Sequence, residues 1–163
     1  MFQAKRQEAL ALSKAIVKDK SSLSMQEMDI RYIKTSDYEG LSSWWDAWRW
    51  GEGKPSLELL DNLNHGIIIS ENGINICSGF LYFTNAVGFG LIECIISNFY
   101  VIGGEKRKEV LILLICSLQE VAKKQGIEVL FSSLRSENLK KHYLDCGFQA
   151  GSKNTTEMVC RLK

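Results

Sequence analysis

Along this chain, short stretches in which apolar and polar residues alternate, or apolar residues run together, are interleaved with longer stretches that repeat apolar residues three and four apart. The first pattern predicts strands and the second helices. Residues 2–18 are rich in Ala, Lys, Gln and Glu, with Ala9, Leu12 and Ile16 at helical spacing, and predict an amphipathic helix ahead of the main body. Residues 28–34 alternate Asp29 and Arg31 with Ile30 and Tyr32 before Ile33, which predicts a first strand. Thr35-Ser36-Asp37 then supplies N-cap chemistry for a helix over 38–50. Three strands follow at 65–70, 74–84 and 87–97, and Asn72-Gly73 between the first two is the strongest hairpin signal in the sequence. Gly103-Gly104 and the run Glu105-Lys106-Arg107-Lys108 open a long apolar-periodic helix, closed by Gln125-Gly126. A short strand at 127–132, a helix over 136–145 capped by Ser136 and ended by Gly147, and a final hairpin around Ser152-Lys153-Asn154 complete the chain. The order predicts a mixed α/β (α+β) fold. A helix separates 87–97 from 127–132, so these two strands can lie side by side and parallel.

Composition changes this picture little. A chain of 163 residues with 45% hydrophobic and 24% charged residues is long enough for one domain with a sizeable core. The expected division is a helical extension over 1–24 and a single domain over 25–163. A net charge of +1 gives no overall field for a polyanion, so neither nucleic acid nor an acidic membrane is an expected partner. The longest apolar run, 110–116, is too short to cross a bilayer, and Met-Phe-Gln-Ala-Lys-Arg at the start lacks the apolar core of a signal peptide. Cys77, Cys94, Cys116, Cys146 and Cys160 are odd in number and widely spaced, and read as reduced core residues with neither a metal site nor a disulfide frame. A reducing cytoplasm is the expected location.

Two stretches carry candidate chemistry. The junction from Leu91 through Gly103-Gly104 into the basic helix start aims free peptide N–H groups and the positive end of a helix dipole at one place, as proteins do to hold a phosphate. Strand, glycine pair and helix also occur as a plain connection, so both readings stand. All four tryptophans fall within Trp44-Trp45-Asp46-Ala47-Trp48-Arg49-Trp50. On a helix Trp44 and Trp48 share a face and Trp45 is turned by about 100°. Core packing accounts for two of these rings, and rings left beside a cleft form a stacking wall for a substrate. The loop over 51–60 is a candidate acceptor lip.

The segment from Ser136 to Phe148, with Tyr143-Leu-Asp-Cys-Gly147-Phe148 at its end, resembles the signature of the GNAT acetyltransferases, whose pattern is a helical Tyr followed by x-Gly-Phe. The resemblance covers about residues 28–163, and the Trp-rich run with Ile95-Ile96-Ser97-Asn98 is similar to a bacteriophage branch of GNAT-like proteins. It implies a mostly antiparallel central sheet with helices on both faces and a splayed parallel pair, the fourth and fifth strands. Acetyl-CoA is the implied co-substrate, its pantetheine arm between those strands and its pyrophosphate on the following helix.

The resemblance also implies roles. Tyr143 donates a proton to the departing sulfur, Ile95 or Ile96 offers a peptide N–H to the thioester carbonyl, and Gly103, Gly104, Lys106, Arg107, Lys108 and Ser136 lie along the cofactor. Glu93, the sole acid of its apolar strand, is the candidate base, and Trp44, Trp45 and Trp48 the candidate acceptor wall. The pattern departs from the family at the phosphate turn, where Lys106 and Lys108 occupy expected glycine positions. Either their charge replaces close backbone contact, or their length closes the site. Two functions follow: N-acetyl transfer to a primary amine of a small molecule or protein, and an inactive GNAT-fold interaction protein, such as a phage factor binding a host protein. A homodimer is a further expected assembly.

Overall fold

Ile67, Ile68 and Ile69 are all buried, because the strand they form has apolar layers on both sides. Ile67 and Ile69 pack into one cluster and Ile68 into the other, the period-2 alternation of a strand at the centre of a sheet. The computed structural model describes residues 28–60, 65–152, 154–156, 158 and 160. In chain order the elements are β1 (Met28–Tyr32), α1 (Tyr38–Ala47), β2 (Gly66–Glu71), β3 (Ile74–Phe83), β4 (Phe89–Ser97), α2 (Gly104–Lys124), β5 (Val129–Phe131) and α3 (Glu137–Asp145), with 3-10 turns at Thr35–Asp37 and Gly51–Gly53. Among the described residues five strands make one sheet in sequence order. The first four pair antiparallel, and β4 pairs with β5 in parallel. Asn72 and Gly73, at φ 49° and 79°, make the β2–β3 turn with both central residues at positive φ, as the Asn-Gly pair predicts.

Each face of the sheet is closed by helix. Leu41, Trp44 and Trp45 form the inner stripe of α1 and pack with Ile33, Leu60, Ile68, Phe80 and Ile96. On the opposite face, Val110, Leu111, Leu114, Ile115, Leu118, Val121 and Ala122 of α2 cover Ile67, Ile69, Leu81, Ile92 and Ile95. Tyr143 brings α3 into this second cluster. A side chain at Gly79 would collide with Ile95 Cδ1 at 2.4 Å and meet Leu118 at 3.1 Å, so this glycine lets α2 lie close on the sheet.

Three expectations change. Asp37 does not cap α1 with its side chain; its carboxylate takes the Lys34 N–H at 2.7 Å and a two-pronged ion pair from Arg31 at 2.7 and 2.9 Å. The hairpin around Ser152 is not formed among the described residues, which carry no strand beyond Phe131. Cys160 is exposed and not a core thiol. The helix expected over 2–18 lies outside the described residues. No described helix is long and apolar enough to cross a membrane.

Candidate functional site

β4 and β5 stay together for three residue pairs, from Phe89–Val129 to Leu91–Phe131. β5 then ends, while β4 runs on to Ser97, so the parallel pair opens into a gap. The ladder on the other side of β4 sharpens this. Leu81 donates its N–H to the His65 carbonyl at 3.1 Å and so faces β2. By alternation Gly79 also faces β2, whereas Ser78 and Phe80 face β4. Ile96 opposite Ser78 and Glu93 opposite Phe80 are the β4 residues turned back to β3, in step with the bond from Asn98 N–H to the Ile76 carbonyl at 2.8 Å. Between them Cys94 and Ile95 oppose Gly79 alone, a bulge with Cys94 at φ 54°. The ladder therefore skips Cys94 and Ile95 where β5 has already ended. Of the two isoleucines expected to offer an N–H, Ile95 lies in the bulge, and Ile96 is committed to β3.

Two side-chain hydrogen bonds border the opening. The Glu93 carboxylate accepts the Ser133 peptide N–H at 3.1 Å, joining β4 to the segment just past β5. The Ser132 hydroxyl donates to the phenolic oxygen of Tyr143 at 3.1 Å. Burial pushes the Tyr143 phenol well above its ordinary value, against the Ser132 hydrogen bond and with help from the nearby Glu93 charge. The ring is 2% exposed and stacks edge-on against Phe148 at 4.8 Å. Burial likewise pushes the Cys94 thiol up to about 12, so it stays protonated and a poor nucleophile.

The gap leads to the start of α2. Gly103 is its N-cap, at an ordinary φ of −79°, and side chains built at Gly103 and Gly104 would meet nothing within 4 Å. Neither backbone strain nor internal packing calls for glycine there; open space lies over the first helical amides. The basic residues beside it are turned to three different partners. Lys106 pairs with Glu71, Lys108 approaches Asp145 at 3.9 Å, and Arg107 donates to the Ile102 carbonyl at 2.7 Å with its guanidinium 5.2 Å from the Trp48 ring centroid. The Lys108 pair is half exposed and contributes little to stability. Ser136 caps α3, its hydroxyl accepting Leu139 N–H at 3.3 Å.

The tryptophans divide. Trp45 is 0% and Trp44 5% exposed, both core rings under the sheet, whereas Trp48 is 37% exposed. Trp48 Nε1 donates to the Ser97 carbonyl at 2.7 Å and so fastens the end of α1 to the end of β4. Phe99 meets its ring edge-on at 5.1 Å, and Tyr100 continues the row. In sequence, Ser132 and Ser133 carry no signal of their own, and Phe99 and Tyr100 only that of adjacent aromatics before the glycine pair. The Tyr38 hydroxyl, donating to the Pro55 carbonyl at 3.0 Å, and buried Leu60 hold the 51–60 loop on the α1 side. Among the described residues no cluster of three or more His, Cys, Asp or Glu could hold a metal.

A mostly antiparallel sheet whose last parallel pair splays beside a glycine-opened helix is the GNAT acetyltransferase fold, and solved structures bear this out. The chain matches N-acetylglutamate synthase from Neisseria gonorrhoeae, solved with coenzyme A and L-arginine, at TM-score 0.61 and 17% identity over 82% of its length. It spans 30% of that synthase. It also matches glucosamine-6-phosphate N-acetyltransferase from Arabidopsis thaliana (TM-score 0.57, 18% identity, 82% of this chain and 99% of that one). A third match is ribosomal-protein-alanine N-acetyltransferase from Brucella melitensis biovar Abortus 2308 (TM-score 0.58, 15% identity, 84% and 100%). No protein-family model matches the sequence, and neither does any curated protein.

Proposed function

We propose that this protein is an acetyl-CoA-dependent N-acetyltransferase acting on a primary amine of a small molecule or protein. The observation that carries this reading is the β4–β5 gap, bordered by Glu93, Ile95 and Tyr143 and opening beside the uncovered amides at Gly103 and Gly104. The fold shared with N-acetylglutamate synthase solved with coenzyme A supports it.

Each side chain then has a task. Gly103 and Gly104 admit the pyrophosphate to the α2 amides, where the helix dipole favours negative charge. Lys106, Arg107 and Lys108 surround that turn with positive charge, and Ser136 keeps the α3 end of the gap in place. The Ile95 peptide polarises the thioester carbonyl while the amine nitrogen attacks its carbon. Glu93 takes the amine proton, directly or through water, and Tyr143 returns a proton to the sulfur as the C–S bond breaks. The phenol's raised pKa keeps that proton in place across the physiological range. Trp48, with Phe99 and Tyr100, forms the acceptor wall.

The second reading is a GNAT-fold protein that binds a partner, such as a phage factor on a host protein, without catalysis. It is favoured by the internal engagement of Lys106, Arg107 and Lys108. Calorimetric titration with acetyl-CoA separates the two. Saturable binding, with CoA release when amines are supplied, is the expected result; no heat at millimolar acetyl-CoA overturns the enzyme reading.

A further inference from the structure

Away from the gap, one pair of side chains has chemistry that acetyl transfer does not use. Cys116 on α2 and Cys146 at the end of α3 are half-buried cysteines, not joined by a disulfide, whose sulfur atoms lie 3.6 Å apart. The approach is set by more than one rotamer. Ile112, Cys116 and Gln119 share one face of α2, and all three meet Cys146. The Ile112 carbonyl is 3.6 Å from the Cys146 sulfur, and Gln119 Nε2 donates to the Cys146 carbonyl at 3.1 Å. The Cys146 N–H, bonded to the His142 and Tyr143 carbonyls at 3.1 Å, fixes the backbone end of the side chain.

A disulfide holds its sulfurs about 2.0 Å apart, so the two have to close by roughly 1.6 Å. We propose that Cys116 and Cys146 are a redox-active dithiol that a hydroperoxide converts to an intramolecular disulfide. The thiolate of one attacks a peroxide oxygen, breaking the O–O bond and giving a sulfenic acid and an alcohol, or water from hydrogen peroxide. The second sulfur then displaces the hydroxyl, the S–S bond forms, and a second water leaves with the remaining proton. Two thiols lose two electrons and two protons, and one peroxide is reduced. The new bond ties α2 to the turn that follows Tyr143 and closes a span of 30 residues containing β5 and α3.

The test is to treat the reduced full-length chain with hydrogen peroxide, alkylate the remaining thiols, digest and map the cysteines by mass spectrometry. The expected product is one linked peptide joining Cys116 to Cys146, lighter by two hydrogens and reopened by dithiothreitol. It should raise the midpoint of thermal unfolding by on the order of 5–10 °C. Cys116→Ser and Cys146→Ser should each abolish both the link and the rise. The proposal is overturned if Cys116 and Cys146 stay open to alkylation at a peroxide dose that oxidises the exposed Cys160, or if the disulfide formed joins other cysteines. The readouts are thiols and melting, so the outcome is independent of whether acetyl transfer occurs.

Discussion

The carboxylate of Glu93 on β4 accepts the peptide N–H of Ser133 at 3.1 Å and so spans the place where β4 and β5 part. The proposed base therefore sits at the edge of the gap, tied to the segment that follows β5. Glu93→Gln keeps an acceptor for Ser133 but removes the base. It should lower kcat/KM by about 10²–10⁴-fold with little change in melting temperature, whereas Glu93→Ala should also loosen the 132–136 segment. Steady-state kinetics with thermal melts of both variants check this; wild-type turnover in Glu93→Gln removes Glu93 from the chemistry.

Tyr143→Phe removes the donated proton and the Ser132 hydrogen bond while keeping the ring against Phe148. Turnover should fall about 10²-fold or more, acetyl-CoA affinity should hold, and stability should drop by about 1 kcal/mol. Because burial raises the phenol's pKa, the acid stays protonated as pH rises, and no fall in kcat from Tyr143 ionisation is expected up to about pH 10. A pH–rate profile showing a basic limb near the ordinary tyrosine value, absent from Tyr143→Phe, would contradict this assignment.

At the start of α2 folding and binding can be pulled apart. Side chains added at Gly103 and Gly104 meet only open space, so Gly104→Ala, inside the helix, should raise stability by up to about 1 kcal/mol, and Gly103→Ala, at the N-cap where Ala is the poorer residue, should cost no more than about 1 kcal/mol. If phosphate approaches these amides, the same methyl groups weaken acetyl-CoA binding. Replacing Lys106, Arg107 and Lys108 with Ala should weaken it more at low salt than at high salt. Calorimetry on all three variants decides, and unchanged affinity throughout moves the pyrophosphate elsewhere.

Trp48→Phe keeps a ring beside Phe99 and loses the bond from Nε1 to the Ser97 carbonyl. The expected effect is a higher KM for the amine with acetyl-CoA affinity retained. An unaltered KM excludes Trp48 from the acceptor wall.

Asp37 offers a check of the fold itself. The hydrogen bond from Arg31, opposed by desolvation and aided by the Lys34 N–H, holds its carboxyl below the usual value. A depressed acid contributes stability that is present above its unfolded pKa, near 4, and lost as pH falls through the folded one. Asp37→Asn should therefore cost about 1–3 kcal/mol at pH 7 and progressively less below pH 4. Denaturant titrations at the two pH values measure it; an equal cost at both would place the effect outside the ion pair.

Much of the architecture follows from local pattern. Alternation and Asn72-Gly73 determined the β2–β3 hairpin, helical spacing determined α2 and α3, and a helix between two strands allowed the parallel β4–β5 pair, since these signals act over a few residues. What only the tertiary structure decided depends on partners distant in sequence. The bulge at Cys94 and Ile95 arises from register against Gly79, and register is a property of two strands. Trp44 and Trp45 became core within α1, whereas Trp48 stands at its C-cap, where the helix ends and the ring is held at the surface by its bond to the Ser97 carbonyl. Lys106, Arg107 and Lys108 read as one basic run, yet successive helix positions point about 100° apart, and folding put Glu71, Trp48 and Asp145 in three different directions. Sequence determined which residues could meet a phosphate or an amine; the packing of α1, α2 and α3 on one sheet decided which of them face the gap.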